Sequence, residues 1–314
     1  MDFIVLVLFG LIFYVGLAMP TIFGNAIICY VIFKNRSRST TYLLLASQCL
    51  SDLLLGVIIF GMPFCFEPIA KSHRGFKLMC ELCTVHLQFA TFFISNLSML
   101  AIAVYRFYVL FINDRSMSGQ NQKIKKTMIV IVLIWLISLL MGLCFSVGFH
   151  FPFYTKDITN ISASCFTIYE ELIPFVPFTQ RESFWFVWIV TTDIPFVLSL
   201  ICYSLIAIRL KRISVDNEYV DSQRKRTIKV MIMIFIVYYV LTGPASFLDQ
   251  FETYYTGKAG YCTSQYHVAT MVAVIVARLA SVANPFILYF YDDGIRKSFS
   301  YIFNIFSSHL VSKD

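Results

Sequence analysis

The sequence predicts an all-α membrane protein, a bundle of seven transmembrane helices with its N-terminus outside, followed by a short amphipathic helix on the inner surface. Three observations predict it. Apolar runs of about 20 residues or more, long enough to cross a bilayer core of roughly 30 Å, recur near residues 3–33, 42–66, 78–111, 127–149, 184–210, 228–247 and 269–291. The composition is 58% hydrophobic and 14% charged, where soluble domains hold roughly 45–50% and 25%. The basic residues are also sorted by side. Segments 34–41, 112–126 and 211–227 and the stretch after Tyr291 carry most of them, including Lys34, Arg36, Arg38, Lys123, Lys125, Lys126, Arg224, Lys225, Arg226, Arg296 and Lys297. The opposite loops hold only Lys71, Arg74, Lys77, Lys156, Arg181 and Lys258. Positive loops stay inside, so the N-terminus is out and the C-terminus in. The net charge of +7 therefore marks orientation, and no nucleic-acid partner is expected. Residues 1–291 form the bundle, and residues 292–314 form the surface helix and a short cytoplasmic tail.

Span one has no basic segment before it, is too long for a signal-peptide core and runs straight into a basic cluster, so it is expected to stay in the membrane. It carries Gly24-Asn25, and a transmembrane Asn normally hydrogen-bonds to a neighbouring helix. Span two carries Asp52 within an aliphatic run. A carboxylate at that depth needs a proton, a partner or a cation: either it is protonated and bonded to Asn25, or it is an ion or switch site. Span three ends in Tyr105-Arg106-Phe107. Arg106 lies 26 residues beyond Cys80, roughly 39 Å along a helix, which puts it at the inner mouth. A lone arginine there can snorkel to lipid phosphates. Span four holds Trp135, for which packing is a sufficient role.

The outer loop from about residue 150 to 183 contains Cys165 and the glycosylation sequon Asn160-Ile161-Ser162. Cys80, Cys83 and Cys262 are also on the outer side, an oxidising compartment where a disulfide is expected. Cys49, Cys144 and Cys202 fall inside spans as small core residues. Span five contains Asp193, Pro195 and Tyr203, and span six contains Thr242-Gly243-Pro244. Span seven contains Arg278 and Asn284-Pro285. Prolines in three consecutive spans, each unable to donate the helical bond, favour hinges over static kinks. After Tyr291, Phe299, Ile302, Phe303 and Phe306 recur at helical spacing, as in a helix lying on a membrane surface.

This set of residues, in this order, resembles the rhodopsin-like (class A) G-protein-coupled receptors over nearly the whole chain. The positions that match are Gly24-Asn25, Asp52, a Cys80–Cys165 disulfide pair, Arg106, Trp135, Pro195 with Tyr203, Pro244, and the stretch Asn284-Pro285-Phe286-Ile287-Leu288-Tyr289, set against the family's Asn-Pro-x-x-Tyr. The resemblance implies a receptor at the plasma membrane, multi-pass and in contact with membrane lipids. It would bind an extracellular small molecule or short peptide and activate a heterotrimeric G protein. Arg106 would be the inner switch, with Tyr203 and Tyr289 re-pairing to it and Pro244, Asn284 and Pro285 serving the rearrangement. Asp52, Ser95, Ser281 and Asn284 map to the family's sodium pocket; no other cofactor is implied. Three departures stand out. Tyr105 replaces the usual acid beside Arg106, which implies weaker restraint and a raised basal signal. Leu241-Thr242-Gly243-Pro244 replaces the usual Cys-Trp-x-Pro. Cys80 also lies one residue further from Arg106 than the family spacing, so Cys83 remains the alternative partner for Cys165.

The expected ligand-reading residues are Gln88, Asp193, Asp249 and Arg278. Arg278 lies six residues outward of Asn284, roughly 9 Å. Asp193 and Gln88 lie at similar depth in spans five and three. Arg278 and Asp193 either bind a ligand bearing both charges or pair with each other. Gln88 stands where amine receptors of the family have an acid, which disfavours a simple amine. Span seven has no lysine for retinal. The negligible segment before span one favours a ligand held within the bundle, with peptide and small molecule equally expected. An ion-coupled transporter or channel using Asp52, Asp193 and Arg278 is the alternative, but no internal repeat of the transporter type is visible. An enzyme is not expected, because His73, His86, His150, His267 and His309 are scattered and no nucleophile motif is visible.

Overall fold

The computed structural model describes residues 3–34, 39–65, 86–111, 120–150, 186, 188–212, 218–255, 264–293, 295–297 and 299–300. Cys80, Cys83, Cys165 and the sequon at Asn160 lie outside the described residues, as do the side chain of Asp249 and the surface helix beyond residue 300. Among the described residues the chain forms seven long helices: α1 (Phe3–Lys34), α2 (Thr40–Cys65), α3 (Gln88–Phe111), α4 (Gln120–His150), α5 (Ile194–Arg212), α6 (Glu218–Tyr255) and α7 (Ser264–Tyr291). Among the described residues there is no strand. Among the described residues, six helices are long and apolar enough to cross a membrane, and α7 adds the apolar stretch Ile275–Tyr291.

Helix and apolar span do not coincide. Although the expected spans begin at 127 and 228, α4 starts at Gln120 and α6 at Glu218. Apolar length marks only the lipid-crossing portion. Outside the bilayer the helices continue through Gln, Lys, Glu and Arg, which are good helix formers in water.

Close helix crossings are made at small residues, as expected where lipid removes the hydrophobic drive to associate. At the α1–α7 crossing, a Cβ on Gly24 would lie 2.9 Å from Cγ of Pro285. At the α3–α4 crossing, a Cβ on Gly142 would lie 2.9 Å from the His86 carbonyl oxygen. Pro20, Pro244 and Pro285 all sit inside continuous helices. Ahead of Pro195 the chain instead widens into a single π turn, Ile189–Asp193, in which the N–H of Ile194 donates to the Ile189 carbonyl. Proline clashes with the preceding turn, and a π bulge is one way to accommodate the resulting bend.

One large apolar core fills the half of the bundle where the basic residues cluster, built around Leu45, Met99, Ile102, Ile206, Ile234 and Leu288. By contrast α4 shows lipid an aliphatic face including Ile129, Leu133, Leu136 and Leu140. That is the inverse of a soluble fold, since lipid is as apolar as leucine.

Candidate functional site

The polar centre of the bundle is built on Asp52, which is 1% exposed. Its Oδ1 accepts bonds from the hydroxyls of Ser281 (2.9 Å) and Ser95 (3.4 Å). Its Oδ2 accepts one from Asn284 Nδ2 at 2.9 Å. Helices α2, α3 and α7 thus meet at one carboxylate. Asn25 brings in α1: its Nδ2 donates to the Thr21 and Ser281 carbonyls at 2.9 and 3.0 Å. The expected alternative of an Asp52–Asn25 bond is therefore corrected. The amide reaches the backbone of α7 while the Ser281 hydroxyl reaches Asp52. Ser51 widens the centre by donating to the Thr91 carbonyl at 2.9 Å and lying 3.2 Å from the Ser95 hydroxyl.

All the groups facing Asp52 present oxygen except the Asn284 amide nitrogen. Asn284 Oδ1 is itself buried with no hydrogen-bond partner among the described residues. The carboxylate and the two hydroxyls are oxygen donors of the kind a hard cation takes, and turning over the Asn284 side-chain amide would add a fourth. Among the described residues no group of three His, Cys, Asp or Glu side chains gathers as a softer metal site would need.

Arg278 is buried on α7, 9% exposed. Asp193 is half-buried at the end of the π turn, and Gln88 is half-buried at the first turn of α3, where its carbonyl accepts the Thr91 hydroxyl at 2.8 Å. Tyr238 on α6 is within electrostatic reach of both Arg278 and Asp52, and the adjacent Tyr239 is within reach of Asp193. Tyr239 packs on Phe196 of α5 at 4.6 Å between ring centroids and on Phe235 at 4.9 Å. Phe235 in turn packs on Tyr203 at 5.1 Å. An aromatic column thus runs along α5 and α6 from the level of Asp193 to Tyr203.

Tyr203 is buried near Arg106, and its hydroxyl has no hydrogen-bond partner among the described residues. Arg106 itself is half-buried at the basic end of α3. Tyr289 turns toward the segment after α7, edge-on to Phe299 at 5.3 Å. Pro285 is buried against Gly24, while Pro244 lies on the exposed face of α6.

Two features escaped sequence reasoning. Trp135 is more than packing: its indole N–H donates to the Ser47 hydroxyl at 2.9 Å, tying α4 to α2. Tyr238 and Tyr239 supply aromatic bulk in α6 where Thr242 and Gly243 lack it. The signal was available in Phe235, Tyr238 and Tyr239, which recur at helical spacing in an aliphatic run.

Set against known proteins, the chain matches the family "7 transmembrane receptor (rhodopsin family)" over residues 24–288. The chain belongs to this family. It is 25% identical over 307 residues to the mouse (Mus musculus) neuropeptide Y receptor type 6, covering 93% of this chain and 79% of the relative. It is 23% identical over 294 residues to human proteinase-activated receptor 2, covering 92% and 69%. It is 25% identical over 170 residues to the mouse D(3) dopamine receptor, covering 52% and 37%. These relatives are receptors, and as a rhodopsin-family member this chain is a multi-pass G-protein-coupled receptor of the plasma membrane.

Proposed function

We propose that this receptor binds an extracellular ligand between α3, α5, α6 and α7, and in response opens the basic, inner ends of its helices to a heterotrimeric G protein. The observation that carries this reading is the Asp52 centre, where side chains of α3 and α7 converge on a buried carboxylate of α2. A polar junction of this kind has no use in a static anchor, because buried polar groups are costly unless paired. It suits a bundle with two packings whose balance a ligand shifts.

The ligand is proposed to be a peptide carrying an acidic group. Arg278 is the anion anchor, and Asp193 faces a basic group. Gln88 and Asp249 complete the contacts. The names of the relatives support a peptide, since the neuropeptide Y receptor type 6 covers 93% of this chain and the dopamine receptor only 52%. A sodium ion held by Asp52, Ser95, Ser281 and Asn284 would neutralise the carboxylate and favour the resting packing. The Cys80–Cys165 disulfide and a glycan on Asn160 belong to the same proposal for the outer face. Arg106, Tyr203, Pro244, Pro285 and Tyr289 are the proposed inner rearrangement.

Exposing cells that express the chain to a peptide library, with chimeric G proteins as readout, tests the reading. At least one acidic peptide should evoke a response absent from mock-transfected cells. Responses confined to monoamines, with Arg278→Ala unaffected, would overturn the ligand assignment.

A further inference from the structure

We propose that Asp292 and Asp293, immediately after α7, form a clasp that holds the inner end of α6 closed and sets the receptor's resting activity. The inference rests on the receptor reading above, and it assigns the restraint to residues outside the Arg106 switch. Arg226 of α6 faces Asp293 with both terminal nitrogens: Nη1 pairs with Oδ2, and Nη2 donates to Oδ1 at 2.9 Å. Its Nε donates to the Tyr291 carbonyl at 3.0 Å, satisfying one of the last orphan carbonyls of α7. Arg226 therefore spends three N–H groups on the end of α7.

The turn that receives them is itself anchored. Asp292 Oδ2 accepts the Tyr42 hydroxyl of α2 at 2.8 Å, and its Oδ1 caps the Ile295 N–H at 3.1 Å. Asp293 also pairs with Arg296. Because α2 and the following turn hold the acids in place, loss of the Arg226 contacts frees α6 and leaves the turn where it is.

Geometry makes the clasp specific to the closed packing. Arg226 lies 18 residues from Pro244, roughly 27 Å along α6. A bend of about 10° at Pro244 would move it by roughly 5 Å, well beyond hydrogen-bond reach. The three Arg226 bonds described above are made across helices, so they are lost together when α6 swings out. Tyr105 stands beside Arg106 where an acid would otherwise sit, and this carboxylate acts on α6 from a different element, the end of α7. The pair is part-exposed, at 40% and 31%, so its effect is that of a favourable surface pair. A bidentate arginine–carboxylate contact is the strongest of that kind.

The test uses the purified full chain in lipid nanodiscs, with spin labels carried on unnatural amino acids at the exposed positions 126 and 229. Wild type, Arg226→Gln, Asp293→Asn and the double variant are compared by pulsed electron–electron distance measurement. Each single variant should raise the ratio of long to short distances about two- to fivefold, the range for an exposed pair. The double variant should do no more than Arg226→Gln alone, which also removes the bond to the Tyr291 carbonyl, and Lys297→Gln should match wild type. Unchanged distances in the single variants, or effects that multiply in the double, would overturn the clasp. Basal recruitment of G-protein probes by the same variants in cells separates the two proposals. Longer distances without recruitment of any heterotrimer uphold the clasp and contradict the G-protein reading. Recruitment by wild type with unchanged distances overturns the clasp alone.

Discussion

Gly24→Ala adds a single methyl group at a close approach between α1 and α7. That methyl would stand 2.9 and 3.1 Å from two ring carbons of Pro285, where carbon atoms normally rest about 3.5–4.0 Å apart. The proline ring cannot rotate away, so the helices must part by roughly 0.5–1 Å. Overpacking of this kind costs about 1–3 kcal/mol. The same separation stretches the Asn25–Ser281 bond from 3.0 Å past the roughly 3.5 Å at which it ceases to count. Interhelical bonds in membranes contribute about 0.6 kcal/mol on average. The sum is roughly 1.6–3.6 kcal/mol, or a fall in thermal midpoint of about 3–14 °C at the 2–4 °C per kcal/mol seen in soluble chains of roughly 150–250 residues. Thermal unfolding of purified protein with a thiol-reactive dye reads this directly, because Cys29 and Cys49 are buried until the bundle opens. Gly16→Ala on the same helix is the control, as its methyl would meet nothing within 4 Å. Equal midpoints for the two variants would refute the close α1–α7 packing.

Replacing Asp52 with Asn should abolish any rise in thermal midpoint on exchanging potassium for sodium chloride. At sodium tenfold above its dissociation constant the wild type should gain about 1.4 kcal/mol, and an identical salt response in both proteins would contradict a sodium site. Trp135→Phe keeps the ring packing but removes the donor to Ser47, so denaturation should show a loss of about 0.6–1.5 kcal/mol; no loss would mean that packing alone retains this tryptophan. Arg278→Ala should weaken the response to an acidic peptide agonist by roughly 10- to 100-fold, the worth of a charged hydrogen bond, with surface expression unchanged; an unshifted dose–response curve would remove Arg278 from the site.

Asp52, Asn25 and Asn284 were legible in the sequence because a polar group in an apolar run is expensive and so conspicuous, whereas Ser281 entered only through the family resemblance. Their convergence was legible only in part. Hydropathy places a residue at a depth, but it leaves the rotation of the helix open. For this reason Asn25 could be expected to bond Asp52 when it reaches the Ser281 backbone instead. Trp135–Ser47 and Ser51–Thr91 were hidden for the same reason, since serine and tryptophan in a span are ordinary until the facing helix is known. The Arg226–Asp293 pair was obscured differently. Both residues belong to polar segments that read as loop and tail, and only the extension of α6 back to Glu218 carries Arg226 to the end of α7. The prolines at 195, 244 and 285 look alike in sequence, yet one is preceded by a π turn and the other two sit in unbroken helices.

Guanine-nucleotide exchange on purified heterotrimers, driven by the purified chain in nanodiscs with an activating peptide, tests the central claim most directly. The account predicts peptide-dependent exchange on at least one class of heterotrimer, lost in Arg106→Ala while the thermal midpoint is kept. Exchange that is equal with and without peptide across every class, or that survives Arg106→Ala unchanged, would contradict it.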